Sequence, residues 1–164
     1  LDTAERGAKA GFRQINIGTL FGLGECKKEA FFSGLHAEYL ERKYLDTEFS
    51  LSLPRINPAE GGFQPNFPLN DKKMVQFMLA FRLFLPNTGI NISTRESEEF
   101  RNNILPLGVT KFSAGSKTSV GGYEKEDCGT NQFSISDTRQ AEEIIRYLKE
   151  KGYQPVFKDW EVLV

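Results

Sequence analysis

The sequence predicts an α/β fold: the C-terminal half of a (β/α)8 barrel of the TIM type, with four strand–helix units preceded by one helix. Two observations predict it. Four short segments of strand character alternate with helical ones and no hairpin signal joins any two strands, so the strands run parallel through helical crossovers. The chain also opens on a helix that lacks a strand of its own, as it would if a barrel were entered just before or within the helix after its fourth strand. A free-standing doubly wound sheet satisfies the bare pattern as well.

Asp2 to Ala10 reads as the opening helix, with Asp2 or Thr3 as N-cap and Gly11 as its stop. Gln14 to Thr19 is a strand with Ile15 and Ile17 on one side, halted by Leu20-Phe21-Gly22-Leu23-Gly24. Lys27 to Lys43 is an amphipathic helix with apolar positions at Ala30, Phe31, Leu35, Tyr39 and Leu40. Phe49 to Leu53 is the second strand, followed by a Pro/Gly-rich loop from Asn57 to Pro68 long enough to act as a lid. Asn70 or Asp71 caps a helix from Met74 to Leu85. Gly89 to Ser93 is a strand leading to a helix from Ser97 or Glu98 to about Leu105. Lys111 to Ala114 is the fourth strand, and Asp137 or Thr138 caps a last helix from Gln140 to Lys151. Phe31, Phe32, Phe77 and Phe81 read as helix-to-sheet core, and His36 as a packing residue.

The 164 residues suffice for one domain with a sizeable core, and 39% hydrophobic with 26% charged residues is a globular balance. Lys+Arg 21 against Asp+Glu 22 provides no field for nucleic acid or an anionic membrane surface. No apolar run approaches the ~20 residues of a membrane span. No signal peptide is evident, so the cytoplasm is the expected location. Cys26 and Cys128 stand far apart and outside any Cys-x-x-Cys pair, so by themselves they complete neither a structural zinc nor an iron–sulfur cluster; reduced thiols are expected. The chain begins at Leu1, within what reads as mid-domain helix, and is expected to be a piece of a longer protein.

In a barrel the strand C-termini share one mouth, which gathers Gly18 to Glu25, Pro54 to Gln64, Thr94 to Ser97 and Ser113 to Tyr123. Thr94-Arg95-Glu96, at the end of a rigid strand, serves equally as a ligand clamp or as an ion pair closing the mouth. Ser116, Lys117 and Thr118 have the composition of an anion-binding loop, which admits a rival reading as a phosphate-binding barrel lyase or isomerase.

Several stretches carry a resemblance: Ser93-Thr94-Arg95-Glu96-Ser97, Asn103 to Gly108, Ser113 to Ser119, Gly121-Gly122-Tyr123, Gln132 to Asp137, Leu53 to Ile56, Gly61 to Pro65 and Lys151 to Trp160. Together they resemble the C-terminal half of the 2-iminoacetate synthase family, the radical S-adenosylmethionine tyrosine lyases of thiamine thiazole biosynthesis. The resemblance covers essentially the whole chain. It implies a barrel that uses a 4Fe-4S cluster to cleave S-adenosylmethionine, the resulting radical breaking the Cα–Cβ bond of L-tyrosine to give 2-iminoacetate (dehydroglycine) and p-cresol. The cluster-binding Cys-x-x-x-Cys-x-x-Cys loop is not in this chain, so the isolated chain is expected to be inactive. No catalytic or metal-ligating residue is assigned.

By this resemblance Gly18-x-Leu20-x-Gly22-x-x-Glu25 matches the family's adenine-side pattern, with Leu20 packing on the adenine and Gly18 and Gly22 allowing close backbone approach. Arg95 is implied to hold the substrate carboxylate in a bidentate fork, with Thr94 beside it and Ser113 accepting from the substrate amine. A rim hydrogen bond is the alternative for Ser113. Arg55 has two open roles, contact with S-adenosylmethionine or a cap on the rim. The thiazole synthase subunit is the implied partner.

The related tyrosine lyase of hydrogenase maturation shares these signatures but extends to further cysteines, and no cysteine follows Cys128 here. A half barrel with open edge strands and an apolar inner face is also expected to self-associate, the interaction-module reading.

Overall fold

A computed structural model describes residues 1–57, 62–119, 122–123 and 133–157. Cys128, Gly121, Gln132 and the Trp160 end of the closing motif lie outside the described residues, as does part of the expected lid. Helix α1 (Asp2–Lys9) leads to β1 (Gln14–Gly18), α2 (Cys26–Lys43), β2 (Glu48–Ser52), α3 (Asp71–Phe84), β3 (Gly89–Ile92), α4 (Glu98–Ile104), a 3₁₀ turn (Leu105–Leu107), β4 (Lys111–Phe112) and α5 (Ala141–Glu150).

The four strands form one parallel sheet in sequence order, β1-β2-β3-β4. A doubly wound sheet reverses direction from its first strand, whereas a barrel adds each strand beside the last. The order is therefore that of a partial TIM-type barrel.

Register assigns each face a chemistry. Ile15, Phe49 and Leu51, Ile90 and Ile92 stand on the helix side, where Leu51, Ile90 and Ile92 pack with Ala37, Met74, Met78, Phe81 and Ile104. A second cluster joins Ala4 and Ala8 of α1 to Leu40 and Phe49.

The other face carries Gln14, Asn16, Glu48, Ser50, Ser52, Asn91 and Lys111. Its amides, hydroxyls and charges bond to one another: Gln14 to Glu48 at 2.9 Å, Ser50 to Asn16 at 2.9 Å, Lys111 to Gln14 at 3.0 Å. This corrects the expected apolar inner face, one of the two grounds for self-association; the other, the edge strands, is unaffected.

Small side chains set the helix approach, which corrects two further expectations. In α2 the buried residues are Ala30, Gly34, Ala37 and Leu40. Phe31 and Phe32 are 62% and 63% exposed, so they are not helix-to-sheet core. A Cβ on Gly34 would meet the Phe81 ring at 3.1 Å, so α2 and α3 touch through the absence of side chains.

The caps follow side-chain chemistry where it is present. Asn70 accepts from the Lys73 amide at 2.9 Å and Ser97 from the Phe100 amide at 3.2 Å. Helix α5 is capped by Gln140 in a reciprocal box with Glu143, not by Asp137 or Thr138. Helix α1 starts at Asp2 itself, so Leu1 occupies the cap position, where its side chain has no acceptor for a helix amide, and neither Asp2 nor Thr3 is the cap.

Candidate functional site

The mouth is assembled by backbone pairing that continues past the strands. The Phe21 amide donates to Pro54 O at 2.8 Å and the Ile56 amide to Phe21 O at 3.1 Å, forming a parallel bridge between Phe21 and Arg55. Gly18 ends β1 against Ser52, whose Oγ would lie 2.8 Å from an added Cβ. Gly22 adopts φ +122°, with Pro65 and Ile56 where a side chain would go. Packing of the mouth thus accounts for both glycines. Leu20 keeps an exposed side chain on the same loop. Glu25 is the N-cap residue of α2, ion-paired to Lys28 at 2.9 Å.

Arg55 is engaged on nearly every donor. Its Nε donates to Glu96 at 3.0 Å, Nη1 to Leu69 O at 3.0 Å and Asp71 at 2.6 Å, and Nη2 to the other Glu96 oxygen. Burial opposes the charge, and the Glu96 and Asp71 carboxylates more than restore it, leaving the guanidinium above its ordinary value. Glu96, 3% exposed, therefore closes the rim with Arg55 rather than with its sequence neighbour Arg95.

Arg101, Asp137 and Arg139 form a second anchor that sequence reasoning missed. Arg101 and Asp137 are buried and paired, Arg101 also donates to Ser113 O, and Arg139 grips Asp137 through Nε and Nη2, the latter at 2.6 Å. The Ser136 and Asp137 amides bond to Thr94 O at 3.0 and 3.1 Å. One network thus joins the ends of β3 and β4 to the entry of α5. The signal in the sequence was faint: Asp137-x-Arg139 before a helix reads as a cap, and Arg101 as an ordinary surface charge.

Arg95 differs from these three arginines. No described carboxylate pairs with it; Nη1 donates to Arg55 O at 3.4 Å, and the guanidinium carbon lies 3.4 Å from the centroid of the Phe133 ring. Burial pushes its pKa down, and only the charge of nearby Glu96 opposes this. Arg95 lines a cavity of about 300 Å³ with Arg55, Glu96, Asn57, Phe21 and Pro65. Neither Thr94, Ser113, Gly18 nor Leu20 lines it. Thr94 is buried beneath the rim. Ser113 lends its backbone to the rim while its hydroxyl makes no bond to a described residue.

The loop at Ser116 to Thr118 gathers no converging donors among the described residues. The Lys117 amide donates to the Tyr123 hydroxyl at 3.1 Å and Thr118 to Phe133 O at 3.1 Å. No group of three or more His, Cys, Asp or Glu among the described residues fits a metal ion. Cys26 directs its thiol to Phe67 O at 3.1 Å. The described residues therefore do not fit a 4Fe-4S cluster.

Comparison with known proteins agrees with this geometry. A family model, the Biotin and Thiamin Synthesis associated domain, matches residues 52–154. The chain belongs to that family. It is 36% identical to the 2-iminoacetate synthases of Salmonella typhimurium and Escherichia coli over 162 residues, 98% of this chain and 43% of each relative. The chain thus spans less than half the length of the curated relatives it matches, while the likeness inferred from its motifs holds across nearly all of its own length.

Among solved structures, a crystal structure of HydG, a maturase of the FeFe-hydrogenase, superposes with TM-score 0.84 and 34% identity over 96% of this chain and 35% of that one. HydG from Carboxydothermus hydrogenoformans gives 0.83 and 36% over 97% and 36%. The partial radical S-adenosylmethionine barrel is the shared fold. No helix among the described residues is long and apolar enough to cross a membrane.

Proposed function

We propose that this chain is the substrate-positioning part of a radical S-adenosylmethionine lyase that cleaves L-tyrosine to 2-iminoacetate and p-cresol. One observation carries the reading: of the four arginines at the mouth, Arg55, Arg101 and Arg139 are each neutralised by a carboxylate, and among the described residues Arg95 has none. A cavity-lining guanidinium without an anion is suited to take one from a ligand, and an amino acid supplies it in planar, bidentate form. The likeness to the 2-iminoacetate synthases supports tyrosine as that amino acid and thiamine thiazole synthesis as the pathway.

Within this reading Arg95 holds the carboxylate, the free Ser113 hydroxyl accepts from the amine, and Thr94 fixes the turn through its carbonyl. Holding both polar groups directs one hydrogen of the substrate at the oxidant. S-adenosylmethionine, when bound, supplies that oxidant, and Leu20 with the backbone from Gly18 to Gly22 is the surface this chain offers its nucleoside. Arg55, saturated by Glu96 and Asp71, serves the rim, the structural one of its two expected roles. Ligands for the cluster come from outside the described residues, and the chain alone is therefore inactive. A soluble, cytoplasmic protein working beside a thiazole synthase subunit completes the reading.

Arg95→Ala or Arg95→Lys in the full-length protein, reconstituted without oxygen, abolishes p-cresol formation while uncoupled cleavage of S-adenosylmethionine partly survives. Unchanged p-cresol formation would remove the carboxylate role. A second reading, the tyrosine lyase of hydrogenase maturation, is favoured by the two HydG superpositions. It uses the same clamp; a second iron–sulfur cluster held by further C-terminal cysteines in the full-length protein would select it.

A further inference from the structure

We infer that Phe133 and Asn57 are positioning residues for Arg95, holding its guanidinium in place without occupying the edge that receives a carboxylate. The inference rests on the clamp reading of Arg95 given above.

A free arginine side chain carries roughly 2 kcal/mol of rotamer entropy, so a clamp of this kind gains from being ordered before its ligand arrives. The usual way to order an arginine is a carboxylate, as Arg55, Arg101 and Arg139 show. For a residue that must bind a carboxylate, that solution fails, because the resident anion neutralises the charge and fills the fork.

Phe133 solves this differently. Its ring lies against the guanidinium at 3.4 Å, and the five N–H groups of arginine lie in the guanidinium plane. Stacking therefore uses a face and leaves the donors free apart from Nη1, whose bond to Arg55 O is long at 3.4 Å. The ring's electron-rich face also offsets part of the desolvation that lowers the Arg95 pKa, so the charge is retained.

Asn57 keeps cation and ring in register. Its Nδ2 donates to Arg95 O at 2.8 Å and to Ser134 O at 3.2 Å. One amide thus ties the backbone of Arg95 to the residue after Phe133. Both of its protons are used, so a hydroxyl or an alanine methyl cannot replace it.

The test compares binding of L-tyrosine with that of L-tyrosine amide, which lacks the carboxylate charge, to the full-length protein by calorimetry. Wild type favours the acid, and Arg95→Ala erases the preference. Phe133→Leu weakens the acid by about tenfold and leaves the amide within about twofold, as expected for a lost cation–π contact and a loosened fork. Phe133→Tyr, which keeps the ring face, restores wild-type preference, and Asn57→Ala reproduces the Phe133→Leu pattern in milder form. Should Phe133→Leu fail to fold by circular dichroism, Asn57→Ala and Phe133→Tyr carry the comparison.

If Arg95→Ala erases the preference while Phe133→Leu and Asn57→Ala keep it in full, the positioning role is wrong and the clamp stands. Equal loss of acid and amide in those variants also overturns it, since that marks general packing. If Arg95→Ala itself keeps the preference, the clamp reading fails first.

Discussion

Adjacent in sequence, Arg95 and Glu96 part company in space because consecutive residues at a strand end point in different directions, and each takes its partner from another segment. Glu96 pairs with Arg55, and Arg95 stacks on Phe133. Glu96→Gln leaves Arg55 half-buried with a weakened partner and lowers stability by about 2–4 kcal/mol. Asp71→Asn, at the exposed end of the same arginine, costs less than about 1 kcal/mol. Urea midpoints of the two variants separate these values. Gly22→Ala costs about 1–3 kcal/mol, since φ +122° strains any residue with a Cβ and Ile56 and Pro65 fill the space. At this scale the sequence named Arg95 as a ligand residue and left Arg55 open; the partners of both lie tens of positions away and were not legible.

Among the elements, α2 shows how an apolar pattern can be read on the wrong face. Its large residues, Phe31, Leu35 and Tyr39, form a helical stripe that is exposed, and the buried stripe is Ala30, Gly34, Ala37 and Leu40. Close packing against β2 and α3 selects small side chains, which a search weighted by hydrophobic bulk passes over. Phe31→Ser and Phe32→Ser accordingly change stability by no more than about 0.5 kcal/mol, whereas Phe81→Ala costs about 3–5 kcal/mol by opening a cavity. Thermal unfolding of the three variants checks the difference. The α5 boundary moved for an analogous reason: Asp137 has capping chemistry, but two arginines claim its carboxylate and Gln140 takes the cap.

For the whole molecule, the buried Arg101–Asp137–Arg139 cluster makes the rim sensitive to acid. Burial pushes the Asp137 carboxyl up, and bonds from Arg139 with the charge of Arg101 more than reverse this, so its folded pKa lies below the ordinary value. A group depressed on folding stabilises fully above its unfolded pKa, near about 4, and that contribution drains away as pH falls through the folded value. Wild type therefore loses stability between about pH 4 and lower pH in excess of Asp137→Asn. The variant is already weaker at pH 6, by about 3–5 kcal/mol, because Arg101 is left buried without its counter-charge. Denaturant midpoints at pH 6 and at pH 3 test both statements.

The sequence by itself determined the alternation of strands and helices, the parallel sheet, and the mouth to which the strand ends converge, with Thr94-Arg95-Glu96 at its rim. These rest on local signals: period, turn residues and short motifs. Tertiary structure decided for the predicted barrel against the doubly wound alternative, and it alone decided the polar inner face, the exposure of Phe31 and Phe32, and which carboxylate Arg55, Arg101 and Arg139 take. Those outcomes depend on contacts between residues far apart in the chain, and burial makes such pairings selective: an anion within reach neutralises a cation. Arg95 is set against a ring instead, and no carboxylate among the described residues pairs with it.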